Sequence, residues 1–366
     1  MYLQKITISN FKNISQAQID FSKSINCIIG NNGQGKTNLL DAVYYLSMTK
    51  SYFDTTDRFS FRHGEQNASV QGAYFCEDGS QETITIVLDS NSAKQVRRGK
   101  KAYDRFSDHV GLIPIVMSSP TDTALINDSS AERRKFVDIF LSQTDNTYLK
   151  SLQSYNQLLL QRNKLLKQEC IITDLLNTIS GLMTNYANYI YNKRIALCSA
   201  LAPLVSHYYN LLSLEKETVN LDYISDLHNG PLDELLLKEA DKERVLKYTT
   251  VGIHRDDFAF SLDEYPLRKC GSQGQQKSFL VALKLAQFSI MRDSYGFAPI
   301  LLLDDVFDKL DSERVNQLMQ IVASEGFSQI FITDSNKVRL ECIVKNITND
   351  CAIFEVENGI YTMIEK

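Results

Sequence analysis

The sequence predicts an α/β protein in which a parallel sheet is begun near the N-terminus and completed near the C-terminus, with a helical lobe inserted between. Three observations carry this. The apolar run Ile25-Asn-Cys-Ile-Ile29 breaks at Gly30 into a glycine-rich turn, and an apolar-rich segment, Leu39-Leu40-Asp41-Ala42-Val43-Tyr44, follows. That is a strand, a turn and a helix start. The run Ile300-Leu-Leu-Leu303 ends in Asp304-Asp305 and fits a central parallel strand covered on both faces. Between residues 122 and 247 leucines and tyrosines recur at helical spacing, as in Tyr148, Leu149, Leu152, Tyr155, Leu159 and Leu166.

Taken in order, the first hundred or so residues read mainly as strands. Ile6-Thr-Ile-Ser and Thr83-Ile-Thr-Ile-Val-Leu88 alternate, with turn residues such as Glu77-Asp-Gly79 between them. One helix, residues 37–48, interrupts them. The boundaries expected are 1–118 for the first part of the sheet-bearing lobe, 119–248 for the helical insertion and 249–366 for the part that finishes the sheet. The insertion should hold four or five helices, none of them long enough for a coiled coil of many heptads.

Composition narrows the class. A chain of 366 residues with 43% hydrophobic and 23% charged residues can bury a sizeable core, so it is an ordinary globular protein. The net charge of −5 means that any nucleic-acid contact must come from local basic patches. Seven cysteines without a C-x-x-C pair fit reduced thiols and a cytoplasmic location, and five scattered histidines offer no zinc spacing. The N-terminus alternates like a strand, and no apolar run approaches the ~20 residues of a membrane helix, so no membrane partner is expected.

The turn itself, Gly30-Asn31-Asn32-Gly33-Gln34-Gly35-Lys36-Thr37-Asn38, has the G-x-x-x-x-G-K-T spacing of a phosphate cradle in the strand-to-helix context such a cradle requires. Glycines let successive N–H groups point inward at phosphate oxygens, and the helix N-terminus adds its positive end. Lys36 would reach the β- and γ-phosphates, and the Thr37 hydroxyl would hold Mg²⁺. A nucleoside triphosphate is the expected ligand. Asp304 suits the second metal-holding position, directly or through water, and Asp305 would polarise the attacking water.

Between these halves lies Gly271-Ser272-Gln273-Gly274-Gln275-Gln276-Lys277-Ser278, leading into an apolar helix. A serine and glycines at a helix N-terminus make an anion site or simply a cap. Ahead of the Asp304 strand, the segment looks like an ABC-type signature motif, with Ser272, Gly274 and Gln275 as its nucleotide contacts. Phe307-Asp-Lys-Leu310-Asp311 looks like the D-loop that follows, with Asp311 as a further contact.

The chain resembles the RecF family of bacterial recombination-repair ATPases from end to end. The matching blocks are Tyr2-Leu3, Asn10-Phe11-Lys12-Asn13, the phosphate loop, Ser119-Pro120, Arg133-Arg134-Lys135-Phe136-Val137-Asp138 and Leu160-Gln-Arg-Asn163. Gly252-Ile-His254-Arg255-Asp256-Asp257, the Ser-Gln-Gly-Gln-Gln segment and Leu302-Leu-Asp-Asp-Val-Phe307 complete them. The resemblance implies an ABC-type ATPase head like those of SMC proteins, without their long coiled coil. It implies ATP with Mg²⁺ as cofactors, an ATP-dependent homodimer and slow, DNA-stimulated hydrolysis. It also implies binding to duplex DNA or gapped and junction DNA, and work with RecO and RecR in loading RecA during repair, replication restart and the SOS response. The sequence departs from the family pattern at Phe53, where an arginine is usual, and at Ile253, where proline is usual. At Thr333-Asp334 the histidine of transporter ATPases is missing.

Lys94-Gln-Val-Arg97-Arg98-Gly99-Lys100-Lys101 sets five cations around a glycine turn. It reads either as a hairpin that tracks DNA phosphates through Arg97, Arg98, Lys100 and Lys101, or as a solvated tip. Arg133 and Arg134 either join such a surface or pair with acids in the lobe. The apolar stripe of residues 148–166 is read as helix core rather than as a base-stacking platform. His254 and Arg255 stand open between a structural role and contact with nucleotide. The competing functions are an ABC-type subunit of a transport or other SMC-like complex, an SMC-like nuclease and a scaffold that never cleaves ATP. The missing histidine disfavours transport, the short stretch after Asp311 disfavours a nuclease domain, and Asp305 disfavours the scaffold.

Overall fold

The computed structural model describes residues 1–365 apart from 77, 170–171, 214–216, 309, 325 and 338–349. Glu77 of the expected turn, Cys170, Cys342 and Lys309 of the D-loop segment lie outside the described residues. The chain opens with the hairpin β1 (Tyr2–Phe11) and β2 (Ile14–Asp20), then runs through β3 (Ile25–Ile29) into α1 (Lys36–Met48). Strands β4 (Asn67–Phe75), β5 (Gln81–Asp89), β6 (Gln95–Arg98), β7 (Lys101–Ala102) and β8 (Ile115–Ser118) follow. Next come α2 (Ala124–Asn127), α3 (Ser130–Thr144), α4 (Asn146–Leu166) and α5 (Thr173–Ser213), then β9 (Val219–Ile224), α6 (Leu232–Lys238) and α7 (Ala240–Leu246). The last part holds β10 (Asp257–Leu262), β11 (Tyr265–Pro266), α8 (Leu267–Cys270), α9 (Gln273–Tyr295) and β12 (Ile300–Leu303). It ends with α10 (Ser312–Ser324), β13 (Ile330–Asp334), β14 (Cys351–Glu357) and β15 (Ile360–Glu365).

Two sheets enclose α1. One is antiparallel, in the order β2-β1-β4-β5-β6-β7; the other runs β15-β14-β3-β13-β12-β8 and is parallel except for β15. Period-two alternation sends successive residues of β3 to opposite cores. Ile28 packs with α1 residues Leu39, Leu40 and Val43 and with Ile6, Ile8 and Ile86 of the antiparallel sheet. Cys27 and Ile29 pack on the other side with Phe279, Leu283 and Ala286 of α9. A strand with aliphatics on both faces is thus the only kind that fits this layer. Each fully buried Leu or Ile there stabilises the fold by about 1.5–3 kcal/mol.

Two expectations need correcting. The insertion contains one helix much longer than its spacing suggested: α5 runs 41 residues, through Pro203. It remains one helix because it packs along α4, β9 and α9, which supply the burial that local propensity does not. Among the described residues it is also the helix long and apolar enough to cross a membrane, contrary to the expectation that no apolar run approaches that length. Leu197, Leu201, Val205, Tyr208 and Leu212 nevertheless sit in the core. The second correction concerns the strands expected after residue 249. β10 and β11 do not join the parallel sheet but pair with β9 of the insertion in a separate antiparallel sheet, β11-β10-β9.

Candidate nucleotide site

The glycine-rich turn between β3 and α1 has the backbone its sequence demands. Gly30, Gly33 and Gly35 have φ of 157°, 82° and 118°. The last two are conformations that L side chains rarely adopt. α1 begins at Lys36 with no side-chain cap, so its first N–H groups are available to an anion. The Lys36 ammonium lies back across the turn, donating to the Gly30 carbonyl at 2.6 Å and the Asn31 carbonyl at 3.1 Å.

The parallel register brings the acids to this turn. The Thr37 hydroxyl donates to both Asp304 oxygens, at 3.1 and 3.0 Å, and the Thr333 hydroxyl donates to Asp304 Oδ1 at 2.7 Å. Asp305 has φ of 47°, and its N–H donates to Thr333 Oγ1 at 2.9 Å. A cavity of about 320 Å³ results, lined by Asn32, Gly33, Gly35, Lys36, Thr37, Asn38, Pro120, Asp304 and Asp305. A larger hollow of about 730 Å³ lies beside Asp57 and Lys94, away from the phosphate loop and from Asp304 and Asp305.

Electrostatics follow from burial. Burial raises the Asp304 pKa, the Thr333 and Thr37 hydroxyls act against it, and Asp305 adds to the rise. Burial lowers the Lys36 pKa against the pull of Asp305, Asp304 and Asp334. With three carboxylates acting on one ammonium, the site has an excess of negative charge and hard oxygen donors, which suits Mg²⁺ accompanying a phosphate. Among the described residues no cluster of three or more metal-ligating side chains is preformed. A Mg²⁺ that takes most of its ligands from phosphate and water needs none.

The signature-like residues lie elsewhere. Ser272 caps α9 in a reciprocal box with Gln275: the Gln275 N–H donates to Ser272 Oγ at 3.2 Å, and the Ser272 N–H to Gln275 Oε1 at 2.6 Å. A Cβ on Gly274 would meet the Arg314 guanidinium at 2.9 Å, and the Arg314 N–H donates to Asp311 at 2.8 Å. Ser272, Gly274, Gln275 and Asp311 therefore share a neighbourhood, and none lines the phosphate cavity. Lys277 links the two regions, donating to the backbone carbonyls of Asp305 at 3.1 Å and Asp308 at 2.6 Å.

The remaining motifs resolve unevenly. β6 and β7 form the expected basic hairpin with Arg97, Arg98, Lys100 and Lys101 all exposed, but Arg98 is paired with Glu82 of β5, Lys94 with Asp57, and Arg97 donates to Gln95 Oε1 at 2.6 Å. Arg133 pairs with Asp257, and Arg134 donates to the Asp256 carbonyl, so both work within the fold. His254 bonds Tyr155 and the Thr249 carbonyl, and burial pushes its pKa down to about 4. It is a structural, neutral histidine. Arg255 is exposed. Tyr148 and Tyr155 are fully buried, which makes their stripe core. Phe53 carries the Lys12 ammonium over its ring at 5.3 Å. Reading the sequence missed Thr333, Pro120 and Asn13, whose Oδ1 accepts from Asn38 at 2.7 Å. Pro120 and Asn13 stood inside blocks already noted, and Thr333 had been read only for a missing histidine.

A sheet pair enclosing a phosphate-loop helix, with a helical lobe and a signature-like turn, is the fold of an ABC-type ATPase head. The family model for the RecF/RecN/SMC N-terminal domain matches residues 2–362. The DNA replication and repair protein RecF of Parabacteroides distasonis is 44% identical over 98% of both chains. That of Bacteroides thetaiotaomicron is 42% identical over 98% of both. A solved structure of the recombination mediator protein RecF with ATP superposes with a TM-score of 0.89 at 29% identity, covering 99% of this chain and 97% of that one. The chain belongs to the RecF family.

Proposed function

We propose that this protein is an ATP-switched DNA-binding ATPase of recombinational repair, organised as a sheet-bearing lobe of residues 1–118 and 249–366 around a helical insertion of 119–248. The observation that supports this best is the separation of the two nucleotide-facing elements. Lys36, Thr37, Asp304 and Asp305 converge on one cavity, while Ser272 and Gly274 lie outside it. Two copies related by a two-fold axis bring the turn of each to the nucleotide of the other.

The geometry supports the following roles. The N–H groups at the start of α1 and the Lys36 ammonium bind the triphosphate. Thr37 and Asp304, already hydrogen bonded to each other, would hold Mg²⁺, which would supply positive charge against the phosphate oxygens. Asp305 takes a proton from the attacking water. Hydrolysis removes interface contacts and opens the dimer. Arg97, Lys100 and Lys101 meet DNA phosphates, and the solved RecF–ATP relative, assigned to the RecFOR pathway, supports RecO and RecR as partners.

The test is ATP-dependent dimerisation followed by light scattering. Ser272→Arg should leave ATP binding by the monomer intact and abolish the dimer. A variant that still dimerises with ATP removes the signature turn from the mechanism.

A further inference from the structure

The phosphate loop has an outer wall as well as an inner face. β14 and β15 are joined by a two-residue turn, Asn358-Gly359, with φ of 51° and 77° and Glu357 opposite Ile360. That is the tight hairpin turn that positive φ at both central residues permits. The Gly359 N–H donates to the Gln34 carbonyl at 2.9 Å, and the Asn358 N–H donates to Gln34 Oε1 at 2.6 Å. Two residues on, the Tyr361 hydroxyl donates to the Gly35 carbonyl at 2.9 Å.

A trans, planar peptide points its C=O and N–H in opposite directions. The carbonyl of Gln34 belongs to the same unit as the N–H of Gly35, and the carbonyl of Gly35 to the same unit as the N–H of Lys36. A donor that fixes either carbonyl from outside therefore aims the next N–H at the phosphate. The fit leaves no slack. A Cβ on Gly30 would meet the Val356 carbonyl at 2.5 Å, one on Gly35 would lie 3.2 Å from the Tyr361 hydroxyl, and one on Gly359 would meet the Asn13 carbonyl at 2.9 Å.

We infer that the β14–β15 hairpin, through the Asn358-Gly359 turn and Tyr361, is the outer half of the nucleotide site and that Tyr361 is a positioning residue for the triphosphate. The inference rests on the phosphate-loop reading above and adds a residue that touches no substrate. It acts through the Gly35 carbonyl, which also accepts from the Leu39 N–H at 3.1 Å, to hold the Lys36 N–H in the binding conformation before the ligand arrives. The Gly359 N–H does the same for the Gly35 N–H.

The experiment uses the full chain with Mg²⁺ and ATP, measuring binding by calorimetry and steady-state hydrolysis. Tyr361→Phe keeps the ring and loses one neutral hydrogen bond, so ATP affinity should fall about 3- to 10-fold. KM should rise by the same factor while kcat at saturating ATP stays unchanged, the pattern of lost uniform binding. The melting temperature without nucleotide should fall by no more than about 1–2 °C. Gly359→Ala, which pushes the turn away from Asn13, should weaken ATP further. Lys36→Ala is the control for the site itself. If Lys36→Ala loses ATP while both hairpin variants bind it as the wild type does, the inference is overturned and the site stands. If Lys36→Ala binds ATP normally, the phosphate-loop reading fails first. A Tyr361→Phe protein that melts early and loses kcat without a change in KM assigns the tyrosine to general stability and also overturns the inference.

Discussion

Arg194 on α5 is the most fully engaged buried cation in the helical lobe, and Arg194→Met tests what holds the lobe to the segment carrying His254. Its guanidinium donates to the Ile253 carbonyl at 2.7 Å, Asp256 Oδ2 at 2.6 Å, Asp138 Oδ1 at 2.9 Å and the Tyr148 hydroxyl at 3.1 Å, and it is 1% exposed. Methionine fills much of the volume but leaves Asp256, itself 1% exposed, with only neutral partners such as Tyr223. Breaking a buried pair from one side costs about 3–5 kcal/mol. With an unfolding entropy of about 2.1 cal/mol/K per residue, the whole chain loses about 4–6 °C in Tm, and a smaller cooperative unit loses more. The pH dependence gives the sign. Burial already raises the Asp256 pKa against the opposing effect of Arg194. Removing Arg194 raises it further, so the folded variant binds a proton more readily than the unfolded chain. The penalty is therefore full above the folded pKa and shrinks as pH falls through it. Scanning calorimetry at about pH 7.5 and about pH 5.5 should show the two proteins converging toward the acid side. A shift below about 1 °C, the same at both pH values, would refute the reasoning.

Asp305→Asn should keep ATP bound and slow its hydrolysis by at least about 100-fold, since the amide cannot accept the water's proton; single-turnover assays with labelled ATP check this, and wild-type turnover would place the base elsewhere. Reversing Arg97, Arg98, Lys100 and Lys101 to glutamate should weaken DNA binding and flatten the slope of log K against log salt by about 2–3. Arg98 should contribute least, because Glu82 already holds it, and an unchanged slope would leave the hairpin as a solvated tip.

How much of this the sequence disclosed depends on the range of the interactions concerned. The phosphate loop was legible because Gly30, Gly33, Gly35, Lys36 and Thr37 are contiguous and each residue type answers a local demand of backbone or ligand. β12 was legible because four aliphatics in a row fit only a strand buried on both faces. α5 was not, since its continuity through Pro203 depends on packing against α4, β9 and α9. β9 was hidden for a similar reason: its partner β10 lies beyond α7, and short strands take their identity from their neighbours. Thr333 was read for a missing histidine, although its hydroxyl bonds Asp304 and accepts from the Asp305 N–H, a contact fixed only by the register of β12 on β13. The cations were visible, but the Glu82 and Asp257 carboxylates that engage Arg98 and Arg133, and the Asp256 carbonyl that engages Arg134, became partners only in the fold.

The position of β3 in its sheet has a bearing on how the protein is made. Its two neighbours are β13 and β14, so the strand that carries the phosphate loop at residues 25–29 is flanked by residues 330–334 and 351–357. A ribosome adding about 5–20 residues per second synthesises the loop tens of seconds before either flanking strand emerges. During that interval the aliphatics of β3 have no sheet to enter, and the turn has no hairpin behind it. The phosphate loop therefore reaches its folded setting only after β13 and β14 have been made.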